Sequence, residues 1–182
     1  GTFGVTVAPS ATVDGATGKL LSVTLDGVNL FIGTGAEFDA TTPEHGDIVV
    51  NPEAEGFQVL SASLDFAKLT VGTDVYTGVY FTAATVGVEG FDGFDLDVYD
   101  LTVKVNRTTA LSGTLLDWTD LDPAFAVTAS DALEIGGTLE LVIEDAVLVG
   151  GTFGIEVTPG ATVDGDVVVP GMLHMKVLWA GR

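Results

Sequence analysis

Carboxylates dominate the chemistry this chain can offer. Twenty-six Asp and Glu stand against six Lys and Arg in 182 residues, for a formal net charge of −20. Two stretches are dense enough to bind something. Asp92, Asp95 and Asp97, with Asp100 close behind, lie in FDGFDLDVYD, and Asp117, Asp120 and Asp122 lie in LLDWTDLDP. Calcium takes about six to eight oxygen ligands, which clustered carboxylates and turn carbonyls can supply. These six residues are therefore the candidate metal ligands, and calcium is the candidate cofactor. Asp95 and Asp97 share a strand face, so their charges repel unless water or a cation intervenes. No D-x-[DN]-x-[DN]-G loop is present, and a solvated acidic face accounts for the same residues without an ion.

Other reactive groups are sparse. His45 and His174 are the only imidazoles and are far apart in the chain, so their spacing gives no support to a zinc site. There is no Cys, which excludes disulfides, thiolate metal sites and Cys nucleophiles. Asn106-Arg107-Thr108 matches the glycosylation sequon, a pattern short enough to arise by chance. Lys68 and Lys104 fall in expected strands, where a buried Lys could cross-link to Asn or Asp, but nothing fixes a partner. Gly33-Thr34-Gly35 lacks the third Gly and the following helix of a nucleotide fingerprint. No nucleophile elbow, H-E-x-x-H or P-loop occurs. A two-carboxylate hydrolase stays formally open, though among twenty-six acids no pair is informative. Tyr76, Tyr80, Phe81, Trp118 and Trp179 could stack on a glycan, but aromatic residues more often fill a β core or a seam between units.

The elements that must position these groups read as strands. Residues 3–7, 20–32, 57–71, 75–88, 94–105, 133–143 and 147–157 alternate apolar and polar or small side chains. Asp14-Gly15, Gly72-Thr73-Asp74 and Glu89 to Gly93 punctuate them as turns. Within 94–105 the apolar phase moves from Phe94, Leu96, Val98 to Leu101, Val103, Val105, which predicts a bulge near Asp100. Residues 36–56, with two Pro and several carboxylates, read as a surface loop around a short strand Ile48–Val50. Residues 106–124 read as a polar connection, and 125–129 as a short strand. No stretch has helical periodicity with caps. The expected fold is all-β and mainly antiparallel, sandwich-like because several strands are apolar on both faces, with a β-solenoid as the alternative.

One stretch occurs twice. GTFGVTVAPSATVDG (1–15) and GTFGIEVTPGATVDG (151–165) are identical at eleven of fifteen positions, 150 residues apart. Self-similarity at a fixed long offset marks a tandem array. The expected organisation is one full repeat over 1–150 and the start of the next over 151–182, with 171–179 standing where the strand from Lys19 stands in the first copy. The chain begins at Gly1 rather than Met and shows no signal peptide, which together with the offset predicts a segment of a longer polypeptide. The second copy continues the strongest alternation in the chain. The motif is thus read as a joint between units, with Phe3 and Phe153 in equivalent apolar seams and residues 1–15 lacking their upstream hairpin partner.

The segments VNLFIGTG (28–35), GVYFTAATVGVEGFDGFDLDVYDLTVKVNRT (78–108) and ALEIGGTLELVIEDAVLVGGTFGIEV (132–157) resemble the long strand-rich tandem repeats of very large bacterial secreted or cell-surface proteins. That resemblance implies an adhesin-like, extracellular, structural role, frequently with calcium, and carries over no catalytic residue. The FDGFDLD stretch is heavier in Asp than such repeats usually are. The expected function is a non-enzymatic structural module of a stalk, filament or surface layer, the alternative being a calcium- or glycan-binding β-module. Neighbouring repeats or like subunits are the expected partners, with glycan or a cell surface as further ones. The acid load argues against nucleic acid, which needs basic groups to displace counterions. No run of about 18 apolar residues predicts a transmembrane helix. Alternation and a mean hydropathy of +0.47 suggest an outer-membrane barrel, against which the duplication and the acid load both argue.

Overall fold

The computed structural model describes residues 1–39, 41, 47–144, 146–158, 162–163, 166–167 and 180–181. Seven long strands follow one another: β1 (Thr2–Val13), β2 (Ala16–Phe38), β3 (Ile48–Val71), β4 (Asp74–Glu89), β5 (Phe94–Thr108), β6 (Leu133–Ile143) and β7 (Val147–Val157). Each pairs antiparallel with its neighbours in sequence, so the sheet is an open meander in chain order. Three two-residue strands follow: β8 (Thr162–Val163) paired with β9 (Asp166–Val167), and β10 (Ala180–Gly181) on the outer edge of β7. The one helical piece among the described residues is a 3₁₀ turn, Trp118–Asp120.

The all-β, antiparallel expectation holds, and a solenoid is not what forms. The second layer differs from a sandwich. Among the described residues one long sheet is present besides the β8–β9 pair, and its partner layer at one end is the irregular connection 109–132, which lays Leu116, Trp118, Phe125 and Val127 onto Val13, Leu20, Ala67 and Leu69. The expected strand at 125–129 does not form. There Val127 N–H is bonded to Phe125 O and Ala126 N–H to Ala124 O, which coils the backbone while both apolar side chains point into the core.

The expected loop 36–56 is also shorter than its composition suggests. β2 runs on to Phe38 and β3 starts at Ile48, with Ala36 opposite Val50. The register moves between Thr34, opposite Glu55, and Ala36, so the extra residues of β3, including Pro52, bulge out of the ladder. Gly35 (φ +86°) and Gly90 (φ +79°) lie against the Ala54 backbone there, where a side chain on either would collide. The bulge expected near Asp100 is present: Asp100 has φ +51°, and the β5–β6 register shifts between Tyr99 and Thr102.

Around its turn, the second copy of the repeated stretch takes the same pairings as the first. Thr162 opposes Val167 and Val163 opposes Asp166, as Thr12 opposes Thr17 and Val13 opposes Ala16. Further along, the register differs: Thr152 opposes Ala180, the counterpart of Leu30, whereas Thr2 opposes Asp26, a displacement of four residues. The expected strand position of 171–179 lies outside the described residues.

Candidate functional site

The Asp117–Asp122 cluster holds the 109–132 connection on the sheet. Asp117 caps the 3₁₀ turn, its carboxylate accepting from Thr119 N–H at 3.0 Å. Asp122 accepts from Ala124 N–H at 2.8 Å. Asp120 accepts from the N–H of Asp14 in the β1–β2 turn at 3.1 Å, and Asp14 in return accepts from Asp117 N–H at 3.1 Å. Each of these carboxylates thus already serves a backbone donor, which is the local competition that places Asp at caps and turns.

Beneath that cap is a polar pivot. Asn106 is 2% exposed, donates its amide to Leu116 O at 2.7 Å and Thr128 O at 2.9 Å, and accepts from Trp118 Nε1 at 3.0 Å. Trp118 is fully buried, stacks on Phe125 at 5.8 Å, and lies flat on Gly78, where a β-carbon would sit 2.7 Å from the indole. A sequon asparagine with all of its amide engaged inside the core is not an acceptor for glycan in the folded chain. Trp118 is core, not a sugar platform, and Tyr76 and Tyr80 pack against the same cluster. The sequence carried a signal for Gly78: a glycine inside an apolar strand marks a close approach.

The other acidic group lies at the far end of the sheet. Asp92 is in the β4–β5 turn, exposed, while Asp95 and Asp97 stand on β5. Asp97 accepts from the Tyr99 hydroxyl at 3.1 Å and directly opposes Glu140 of β6. That hydrogen bond, then partial desolvation and the nearby charges of Asp97, Glu140 and Asp95, push the Tyr99 phenol above its usual range. Among the described residues, no three His, Asp or Glu side chains converge closely enough to hold a metal ion. His45, His174 and Trp179 lie outside the described residues. Lys68 is exposed, and Lys104 is paired with Glu134 at 2.9 Å directly across the β5–β6 ladder. The pair prevails over burial, so the Lys104 ammonium titrates above its usual range even though desolvation, the largest influence on it, pulls the other way.

What the sheet presents most is an apolar face. Residues directly opposite across a ladder share a face. Such a row runs Phe3, Leu25, Leu64, Phe81, Val103, Ile135, Ile155, and the next runs Val5, Val23, Phe66, Val79, Val105, Leu133, Val157. Beyond the Asp100 bulge two more rows follow: Leu30, Val59, Val86, Val98, Leu139, and Ile32, Phe57, Val88, Leu96, Leu141, Val149. β6 and β7 pair without a register shift, so Leu133, Ile135, Leu139 and Leu141 all stand on one side and tie the four rows into a single face. Val59, Ala62 and Ala83, with Phe81, Val86 and Leu101 against them, close the join between its halves. The alternation is plain in the sequence, but not that the rows align into one surface that no described layer covers. A contiguous apolar surface of this extent is uncommon on a monomeric protein.

The face is most open at β1. Phe3 is 71% exposed, Val5 52% and Val7 72%, whereas their counterparts Phe153, Ile155 and Val157 are all part-buried beside β6. Phe3 and Phe153 do stand in equivalent places, and the difference is the strand that flanks β7 and does not flank β1. Comparison with family models, curated proteins and solved structures finds no match to this chain. Among the described residues no helix is long and apolar enough to cross a membrane.

Proposed function

We propose that this chain is a structural repeat module of a large extracellular or cell-surface protein, adhesin-like in setting, that assembles with its own kind into a stalk, filament or surface layer and carries no reaction of its own. The observation that carries this reading is that the second copy of the repeated stretch is itself a strand of the same sheet, β7, flanked by β6 on one side and β10 on the other. A joint inside a sheet couples neighbouring units through main-chain hydrogen bonds and shared apolar rows, so stability becomes partly an interface quantity. The apolar rows support like subunits as partners, since a second apolar sheet about 10 Å away is what such a face ordinarily packs against. The absence of Cys and the charge of −20 suit a secreted protein in saline surroundings.

The test is thermal melting of proteins carrying one, two and three tandem copies of residues 1–150. The midpoint is expected to rise with copy number. Equal midpoints for one and three copies would sink the reading.

A further inference from the structure

We propose that the free edge of β1 is an acceptor site for one specific strand, the β6 strand of another copy of this repeat, taken in the same register that β6 holds against β7. The inference rests on the repeat reading and names the contact through which the repeats join.

The register is already present in the chain. β7 contains GTFGIEV, and β6 lies on it with Gly137 opposite Phe153, Ile135 opposite Ile155 and Leu133 opposite Val157. β1 contains GTFGVTV, the same residues 150 positions earlier, with β2 on one edge and no described strand on the other. Placing β6 of another copy on that edge sets its Gly137 against Phe3, its Ile135 against Val5 and its Leu133 against Val7. The ring of Phe153 lies over Gly137, where a β-carbon would come within 3.3 Å of it, so the acceptor Phe meets the glycine of β6 that stands on its own face.

Two features of β1 itself point the same way. Strands that must remain free edges carry charges, usually Lys, to prevent pairing. From Thr2 to Val13 there is none, in a chain where acids are frequent, and Pro9 is the single interruption. Moreover, the two copies differ where it helps. Glu156 of β7 directly opposes Glu134 of β6, a like-charge pair, and its counterpart in β1 is Thr6. Directly opposed like charges destabilise a ladder. β1 is therefore a better acceptor for β6 than β7 is.

The experiment extends the full chain at its N-terminus with a second copy of Leu133–Gly150, so that the added Gly150 precedes Gly1 as Gly150 precedes Gly151. The chain has no Cys, so a pair introduced as Val5→Cys and Ile135→Cys in the added copy is the only possible disulfide. Opposed residues have Cα separations of about 4.5–5.5 Å, within disulfide reach, whereas diagonal ones are about 7–8 Å apart. The in-register pair is expected to oxidise at least tenfold faster than a slipped pair of Val5→Cys with Leu133→Cys in the added copy. In the cysteine-free extended chain, the alternate amides of Thr2–Ala8 that point away from β2 are expected to gain protection from hydrogen exchange. Equal oxidation of both pairs, or no gain in protection, overturns the inference. If tandem copies melt higher than one copy while these amides stay unprotected, the array reading survives and the joint is not this pairing.

Discussion

Replacing Asn106 by Ala tests the account of how an irregular connection is held as a layer on the sheet. The amide makes three hydrogen bonds and is almost wholly buried, so its removal strands Leu116 O and Trp118 Nε1 and takes one of two donors from Thr128 O, which keeps its bond from Asp131 N–H. A buried polar group left without a partner costs about 1–3 kcal/mol. A water entering the vacated space recovers some of that, which for two stranded groups sets the expected loss at about 2–4 kcal/mol. For a domain of this length, about 1 kcal/mol moves the midpoint by roughly 2–4 °C, so the expected drop is about 10 °C. Urea titration gives the free energy, and Trp118 emission, read in a Trp179→Phe background, reports the local site with a red shift. Asn106→Asp sharpens the test, because it keeps an acceptor for the indole but loses both donated bonds and buries a charge. It should be at least as damaging at neutral pH and should recover in part as pH falls through a carboxyl pKa that burial raises, where the protonated acid can donate once. An Asn106→Ala protein within about 1 kcal/mol of the parent, a surface-like value, would refute the pivot.

Three further outcomes follow from the charged groups and the apolar face. Burial, and then the charges of Asp122 and Asp26, raise the Asp65 carboxyl above its usual range, so its ionised form opposes folding. Asp65→Asn is expected to raise the melting midpoint at neutral pH, and the gain should vanish as pH falls through the raised folded pKa and Asp65 takes up its proton. Adding calcium should shift the midpoint no more than NaCl at matched ionic strength, because Asp117, Asp120 and Asp122 already bond to backbone donors and no carboxylate triad converges among the described residues. Sedimentation should show self-association that strengthens with salt, since screening weakens repulsion between chains of charge −20 while leaving apolar contact intact. A Phe66→Glu, Val79→Glu pair in the middle of the face should abolish it.

Most of the sheet was legible because alternation is a direct imprint of a one-sided strand. Leu133 to Ile143 and Val147 to Val157 read correctly to the residue at their ends. Even the Asp100 bulge showed as a phase change, since the extra residue is what keeps Leu101, Val103 and Val105 on the side of Leu96 and Val98. Legibility failed where placement is set by contacts distant in sequence. The ends of β2 and β3 looked like a loop because Glu37, Pro52, Glu53 and Glu55 sit where both faces meet water, and composition there reports exposure rather than conformation. Residues 109–132 have no period, because each of Leu116, Trp118, Phe125 and Val127 is set into the core by a different turn. Asn106 resembled a sequon because a three-residue pattern is blind to burial. The carboxylates of Asp117, Asp120 and Asp122 resembled ion ligands because the backbone donors that occupy them come partly from Asp14, more than a hundred residues away.

The same alternation could not say what covers the apolar face, and the geometry of the sheet narrows the answer. Following directly opposed residues from Phe3 across six ladders arrives at Ile155, the counterpart of Val5, not of Phe3. One repeat therefore staggers the sheet by two residues, about 7 Å along the strands over about 29 Å across them. That corresponds to a tilt of roughly 13°, far below the roughly 35–45° at which strands close into a barrel. Added repeats would lengthen an open ribbon instead of curling it shut, so its apolar face is not hidden by closure. The four rows span up to about 29 Å across the strands by roughly 27–31 Å along them, on the order of 800 Å², comparable to the roughly 800 Å² per partner of a standard stable interface. Asp95, Asp97 and Glu140 point to the opposite side, so two such faces can meet with these carboxylates directed outward. Edge pairing lengthens the ribbon and face packing doubles it. The two contacts use different atoms, so the face variants that abolish self-association should leave the oxidation of the in-register edge pair unchanged.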